Sequence, residues 1–349
     1  MQKCCDLCGL SEAGGKKVIN RFLKAAMVLE NNNDKFKVVI LRCPNYDTKN
    51  LDYNINRAFS YFGGIESLVN KGEKILLKPN LLLKDPARTG ITTHPFVVKS
   101  VADIVKTAGG LPSVGDSPAF GSVHQVSAAC GLLPLLKKDN IPIVSFRRNR
   151  SYHSKVRITD TVRDFDKIIN IPKFKAHQQM LFSGAVKNVF GLVTGKVKAW
   201  RHFKVRGSYE KFSLMVLAIY EQVRPCFTIV DAIDIMEKTG PRGGPVRHAG
   251  LLFAGINCIS IDRVICDVFG INPEKVPLLK TARKYGINGC KLRNIQIEGD
   301  DASDVRSEKY LFPEKLNDIS FSFPRVIKSV IRHLVTVHVG QGSGIRRNK

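Results

Sequence analysis

Short β-branched runs alternate along this chain with stretches whose apolar residues recur at helical spacing, and the links between them are brief. That alternation restricts the fold more than any other feature. "FKVVILRC" (36–43) has the length and composition of a strand. The next stretch places Ile55, Phe59 and Phe62 on one helical side and stops at Gly63 and Gly64. "KILLKPN" (74–80) is a strand stopped by Pro79, and "PFVVKSVADIVKTAGG" is a helix with Pro95 in its first turn and Gly109 past its end. Further strands are expected at "IPIVSF", "KIINI", "CFTIVDA" and "LLFAG", and further helices at 122–138, 208–223, 259–269 and 276–285. Such an order predicts an α/β fold: a mainly parallel sheet with flanking helices on both faces. The α/β domain is expected over 35–320, with a lobe boundary near 200–225. An N-terminal appendage (1–34) precedes it and a basic amphipathic tail (321–349) follows.

In sheets of this kind the ligand cleft lies outside the carboxyl ends of the strands. Three segments follow strands directly and are therefore expected there as loops: "KPN" (78–80), "PKFKAH" (172–177) and "DAIDIMEKTGPRGG" (231–244). Charge says what such a cleft would accept. Lys and Arg number 55 against 30 Asp and Glu, a net +25, which favours anionic partners. An apolar share of 44% supports a packed core and argues against disorder outside the ends. Nine cysteines, among them Cys130, Cys226, Cys258 and Cys266 within apolar runs, read as thiols of a reducing compartment and not as a disulfide framework. The first residues lack a secretory apolar core, and no run reaches the ~20 apolar residues of a spanning helix. A cytoplasmic protein is expected, with peripheral membrane contact through 325–339, where Ile327, Val330, Ile331, Leu334 and Val335 face away from Arg325, Lys328 and Arg332.

"NIPKFKAHQQMLFSGAVKNVFGLVTGK" (170–196) gathers Lys173, Lys175, His177, Lys187 and Lys196 among glycine turns without one acidic residue. Glycines let backbone N–H groups approach a ligand, lysines add charge, and a histidine can act as acid, base or metal ligand. Lys187 and His177 are the expected catalytic pair, with His177 the best single candidate for a metal. Lys173, Lys175, Ser183, Gly184 and Asn188 complete that rim as binding residues, although solvated lysines and a polar loop histidine would explain the same residue types. Lys78, Asn80 and Thr92 line the opposite side, while Thr93 reads as the cap of the helix beginning at Pro95. Asp116 and Ser117 fit either a cleft turn or an ordinary one. Asp231, Asp234 and Glu237 form the acidic group, suited to a metal or a general base or, equally, to a helix start; Asp231 and Glu237 are the ones assigned to binding. Asp262 is expected to be partly exposed. From 173 to 211 nine basic residues meet one acid, Glu210, with Trp200 among them. Nucleic acid is a conceivable partner for that charge, but no recognised motif accompanies it. Cys4, Cys5 and Cys8 contain a C-x-x-C, short of the four ligands a self-contained zinc or iron–sulfur site needs.

The succession "LLKPNLL", "TTHPFVVKSVADIV", "VGDSPA", "NIPKFKAHQQMLFSGAVKNVFG" and "DAIDIMEKTGPRGGP…LLFAG…SIDRV" resembles the large family named domain of unknown function 362, over about residues 70 to 270. Many members carry a ferredoxin-like module whose cysteine run this chain lacks. An iron–sulfur role is therefore not carried over to this chain; a redox accessory protein, with a separate iron–sulfur partner and Cys4, Cys5 and Cys8 completing a site between chains, stands as an alternative. More distantly the chain is similar to the nickel-pincer lactate racemase family. There a His and a Lys ten residues apart bracket a Ser-Gly loop, the His serving the metal and the Lys tethering a pyridinium-derived cofactor. His177 and Lys187 stand at that spacing with Ser183 and Gly184 between them, though that family's earlier histidine motif is missing. A metal or a covalently attached organic cofactor is what this second resemblance implies, and a two-lobed α/β protein with a ligand in the cleft between the lobes is what both imply; with the lysine-rich rim, the expected function is an enzyme acting on a small carboxylate or phosphate. A non-enzymatic basic module is the remaining alternative.

Overall fold

The computed structural model describes residues 34–151, 156–194, 207–307, 310–313 and 315–317. Cys4, Cys5, Cys8, Lys196, Trp200 and the 325–339 segment lie outside the described residues, as does most of the appendage and tail. In chain order the strands are β1 Lys37–Arg42, β2 Lys74–Pro79, β3 Leu111–Asp116, β4 Ile143–Ser145, β5 Asn149–Ser151, β6 Arg157–Thr159, β7 Lys167–Ile171, β8 Lys173–His177, β9 Leu181–Ser183, β10 Phe227–Met236, β11 Val246–Gly255 and β12 Gln296–Gly299. Helices α1 Thr48–Ser60, α2 Pro95–Thr107, α3 Val123–Ala129, α4 Leu132–Lys138, α5 Ala185–Asn188, α6 Tyr209–Val223, α7 Cys258–Val268, α8 Pro277–Lys284 and α9 Ser303–Ser307 connect them.

One sheet runs in the order β12-β1-β11-β10-β7-β2-β3-β4, with β8 joined to β10 and β9 to β8; β5 and β6 make a separate hairpin. Along that order only β11 runs against its neighbours, so the sheet is mainly parallel as expected. Strands from both sides of residues 200–225 enter it, because β7 pairs directly with β10. Its strands are apolar on both sides. Val38, Ile40 and Leu76 join one core with residues of α5 to α9, and Val39, Leu41, Ile75 and Leu77 join another with α1 to α4. Alternate residues facing two helix layers are why these strands read as continuous apolar runs. Burying each large aliphatic side chain contributes roughly 1.5–3 kcal/mol.

Most expected elements appear within a residue or two, with instructive exceptions. The helix expected over 122–138 is split into α3 and α4 at Gly131, whose φ of 85° lies in the left-handed region that breaks a helix. "PKFKAH", expected as a loop, contains the strand β8. Pro172 interrupts the ladder, and the chain then resumes pairing with β10, Asp231 opposite Lys173. β10 therefore continues well past its expected end, and Asp231 sits in mid-strand. Thr93 does not cap α2. The His94 ring accepts from Phe96 N–H instead, and the Thr93 hydroxyl accepts from Asn80 N–H at 2.9 Å and donates to the Ile171 carbonyl at 2.6 Å. It ties the end of β2 to the end of β7.

Candidate functional site

Three lysines are buried at the carboxyl end of the sheet: Lys78 at 0% exposure, Lys173 at 1% and Lys175 at 1%. A lysine is seldom buried without a partner, because removing an ammonium from water costs several kcal/mol. Lys78 follows Leu76 onto the α5 face of the sheet, and its Nζ donates to Asp116 Oδ1 at 2.8 Å and to the Pro79 carbonyl at 3.0 Å. Asp116 also accepts from Leu81 N–H at 2.7 Å and Ser117 N–H at 2.8 Å. It is a fully engaged buried carboxylate and not an ordinary turn residue. Gly191 is where it is because of this pair: a Cβ there would lie 2.3 Å from Asp116 Oδ1 and 2.4 Å from Lys78 Nζ.

Lys173 is held the same way. Its Nζ donates to Asp231 Oδ1 and to Tyr46 Oη, each at 2.8 Å, while Asp231 Oδ2 accepts from His94 N–H at 2.9 Å. Tyr46 stacks on His94 with ring centroids 3.7 Å apart. Burial favours the uncharged imidazole and pulls the His94 pKa down to about 4, so this ring is neutral at pH 7. Asn188 links the two sides. Its Nδ2 donates to Asn170 Oδ1 at 2.8 Å and to the Lys78 carbonyl at 3.1 Å, and its Oδ1 accepts from Asn80 Nδ2 at 3.2 Å.

Lys175 differs from the other two. Its Nζ donates to Asn80 Oδ1 at 2.8 Å and to the Ile91 carbonyl, and among the described residues no carboxylate forms an ion pair with it. Burial, and then the positive charges of Lys187 and Lys173, hold its pKa well below the usual lysine range, opposed in part by Asp116. Alternation along β8 puts Lys173, Lys175 and His177 on one side and Phe174, on the other, into the apolar core.

Several expected site residues thus converge: Lys78, Asn80, Lys173, Lys175, Asn188 and Asp231, with half-buried Lys187 close enough to bear on Lys175. His177, 8% exposed, lies at the hairpin end of β8, and its Nδ1 accepts from Gln179 N–H at 3.1 Å. Ser183 is buried in β9 opposite Lys175, and Thr92 is buried beside the Ile91 carbonyl that Lys175 uses. Glu237 does not join the cluster: at the far end of β10 its Oε1 lies 3.1 Å from Arg247 Nε and accepts from Leu311 N–H.

Gly184 serves a different purpose from the one its residue type suggests. The N–H groups that follow it, of Ala185 and Val186, point at the Asp262 carboxylate at 2.7 and 3.1 Å. A Cβ on Gly184 would lie 2.3 Å from Asp262 Oδ1. Asp262 is therefore buried, not partly exposed, and burial raises its pKa to about 7 against the pull of the two N–H groups. Tyr46 and Asn170 were not singled out by sequence. Neither stands in a recognisable motif, and only pairing across the sheet brings them to the lysines.

Among the described residues no three His, Cys, Asp or Glu side chains converge as metal ligands. A groove of about 800 Å³ opens elsewhere, between the amino ends of β2 and β3 and the residues around Arg147 and Phe165. Its mixed lining lacks the buried charge of the lysine cluster, and the cluster is the better candidate because its chemistry is the more costly to build.

A relative, a thylakoid-associated protein of Synechocystis, is 34% identical over 301 residues, covering 85% of this chain and 94% of that protein. Among solved structures, the lactate racemase apoprotein from Thermoanaerobacterium thermosaccharolyticum matches at a TM-score of 0.44 and 11% identity, covering 69% of this chain and 59% of that one. The family model described as "Domain of unknown function (DUF362)" matches residues 75–267, a span that runs from β2 to α7 and contains all three buried lysines. The chain belongs to the DUF362 family.

Proposed function

We propose that the protein is an enzyme that binds a small anion, a carboxylate or a phosphate, at the carboxyl end of its sheet over Lys175 and Lys187. The observation that carries this reading is Lys175, a buried lysine that lacks a carboxylate ion pair among the described residues while Lys173 and Lys187 crowd it with like charge. An arrangement that disfavours its own ammonium is relieved by an arriving anion. Lys187 is the residue best placed to meet that anion, being half-buried on α5, and His177 on the same side of β8 can supply or accept a proton.

Calorimetric titration with phosphate, sulfate and short carboxylates is the test. Lys187→Ala is expected to weaken the best of these at least about tenfold, roughly 1.4 kcal/mol, with little change in stability. Equal affinity in the variant would sink the reading.

A second reading concerns location, and the relative's description as thylakoid-associated favours it. Among the described residues no helix is long and apolar enough to cross a membrane. Peripheral contact through the basic 325–339 segment is the form this reading takes. Flotation with vesicles rich in anionic lipid should carry the full chain and leave behind a chain truncated at Pro324. Equal flotation of both would remove the tail from the account.

A further inference from the structure

The two hydrogen bonds of Lys175 decide what its nitrogen can do. Asn80 Oδ1 and the Ile91 carbonyl oxygen are both acceptors only. A neutral primary amine has two N–H donors and one lone pair, so these two acceptors use both donors and leave the lone pair directed elsewhere. An ammonium has three donors and would need a third acceptor beyond the two that the described residues offer. Desolvation beside further cations is also the setting that converts a lysine into a nucleophile, since it favours the neutral amine. Lys173 cannot play this part, because Asp231 and Tyr46 both hold it. Lys78 cannot either, because Asp116 and the Pro79 carbonyl engage it.

We infer that Lys175 is an amine nucleophile that forms an imine with a small carbonyl compound bearing an acid group, a 2-oxo acid being the simplest. This rests on the anion reading above, since the cationic Lys187 would receive the acid group while Lys175 meets the carbonyl carbon. The lone pair of Nζ attacks that carbon, and the C=O π pair moves to oxygen, which takes up a proton as nitrogen gives one up. The resulting carbinolamine expels its oxygen as water and becomes C=N. Amine and carbonyl compound give imine and water, and nothing is oxidised or reduced. Lys175 is 1% exposed, so ligand entry requires the residues packed around its amine to move.

The test uses the full chain incubated with glyoxylate or pyruvate and then with borohydride, which converts an imine to a stable secondary amine. Intact mass and peptide mapping locate the product. One reduced adduct per chain on the peptide holding Lys175, lost in Lys175→Met, is the expected result. Mapping on the unmodified sequence keeps the test decisive even where that variant fails to fold. Adducts scattered over exposed lysines such as Lys106, or confined to Lys187, would overturn the assignment. Anion binding without any adduct at Lys175 would remove the nucleophile and leave the anion site standing. Neither binding nor adduct would remove both.

Discussion

Replacing Asp116 with alanine is expected to lower the unfolding free energy by about 3–5 kcal/mol, the cost of leaving one member of a buried ion pair alone. Asp116 is 5% exposed and Lys78 is 0% exposed, so water cannot take the carboxylate's place. The loss also orphans the N–H groups of Leu81 and Ser117, which now end on the same carboxylate. Removing both charges should cost less than removing one. The double variant Lys78→Met with Asp116→Ala is therefore expected to regain part of the loss, because no uncompensated ammonium remains. Urea titrations of the three proteins decide it. A single-variant loss below about 1 kcal/mol would show that Lys78 finds another partner or sheds its proton cheaply.

Asp262 should make stability depend on pH in the opposite direction from most carboxylates. Its pKa rises on folding from the ordinary range to about 7, so between those limits the folded protein holds a proton that the unfolded chain does not. Its contribution is fully present below the unfolded pKa and is lost as pH rises through about 7, with a slope of up to ~1.4 kcal/mol per pH unit. Groups such as Glu73, whose ion pair with Lys167 pulls its pKa down to about 2, lose their contribution as pH falls. The Asp262 effect is therefore read as a difference against Asp262→Asn. The stability gap between the two proteins is expected to shift by a few kcal/mol from pH 4 to pH 7. Parallel curves would mean that the Ala185 and Val186 N–H groups hold the carboxylate ionised throughout. The position matters because Asp262 fixes the start of α5, which carries Lys187 and Asn188.

The sequence alone settled the class of fold. Alternating strand and helix periods leave few architectures other than a helix-covered parallel sheet, and the period of a strand or helix is a local property. It also pointed to one end of the sheet, because Pro79 and Pro172 mark the carboxyl ends of neighbouring strands and lysines cluster just there. Charge partners were beyond its reach. Lys78 meets Asp116 across 38 residues and Lys173 meets Asp231 across 58, and no local pattern says which acid answers which base. Nothing in "PKFKAH" reveals that the chain beyond Pro172 resumes pairing with β10, since that depends on how far β10 itself extends. Gly184 and Gly191 illustrate the limit most directly. Each reads as a flexible turn glycine, yet each is small because a carboxylate from a distant part of the chain lies within 2.3 Å of where its Cβ would be. Burial and long-range pairing are properties of the packed molecule, and they alone distinguish Lys175, without a carboxylate ion pair among the described residues, from the two lysines that have one.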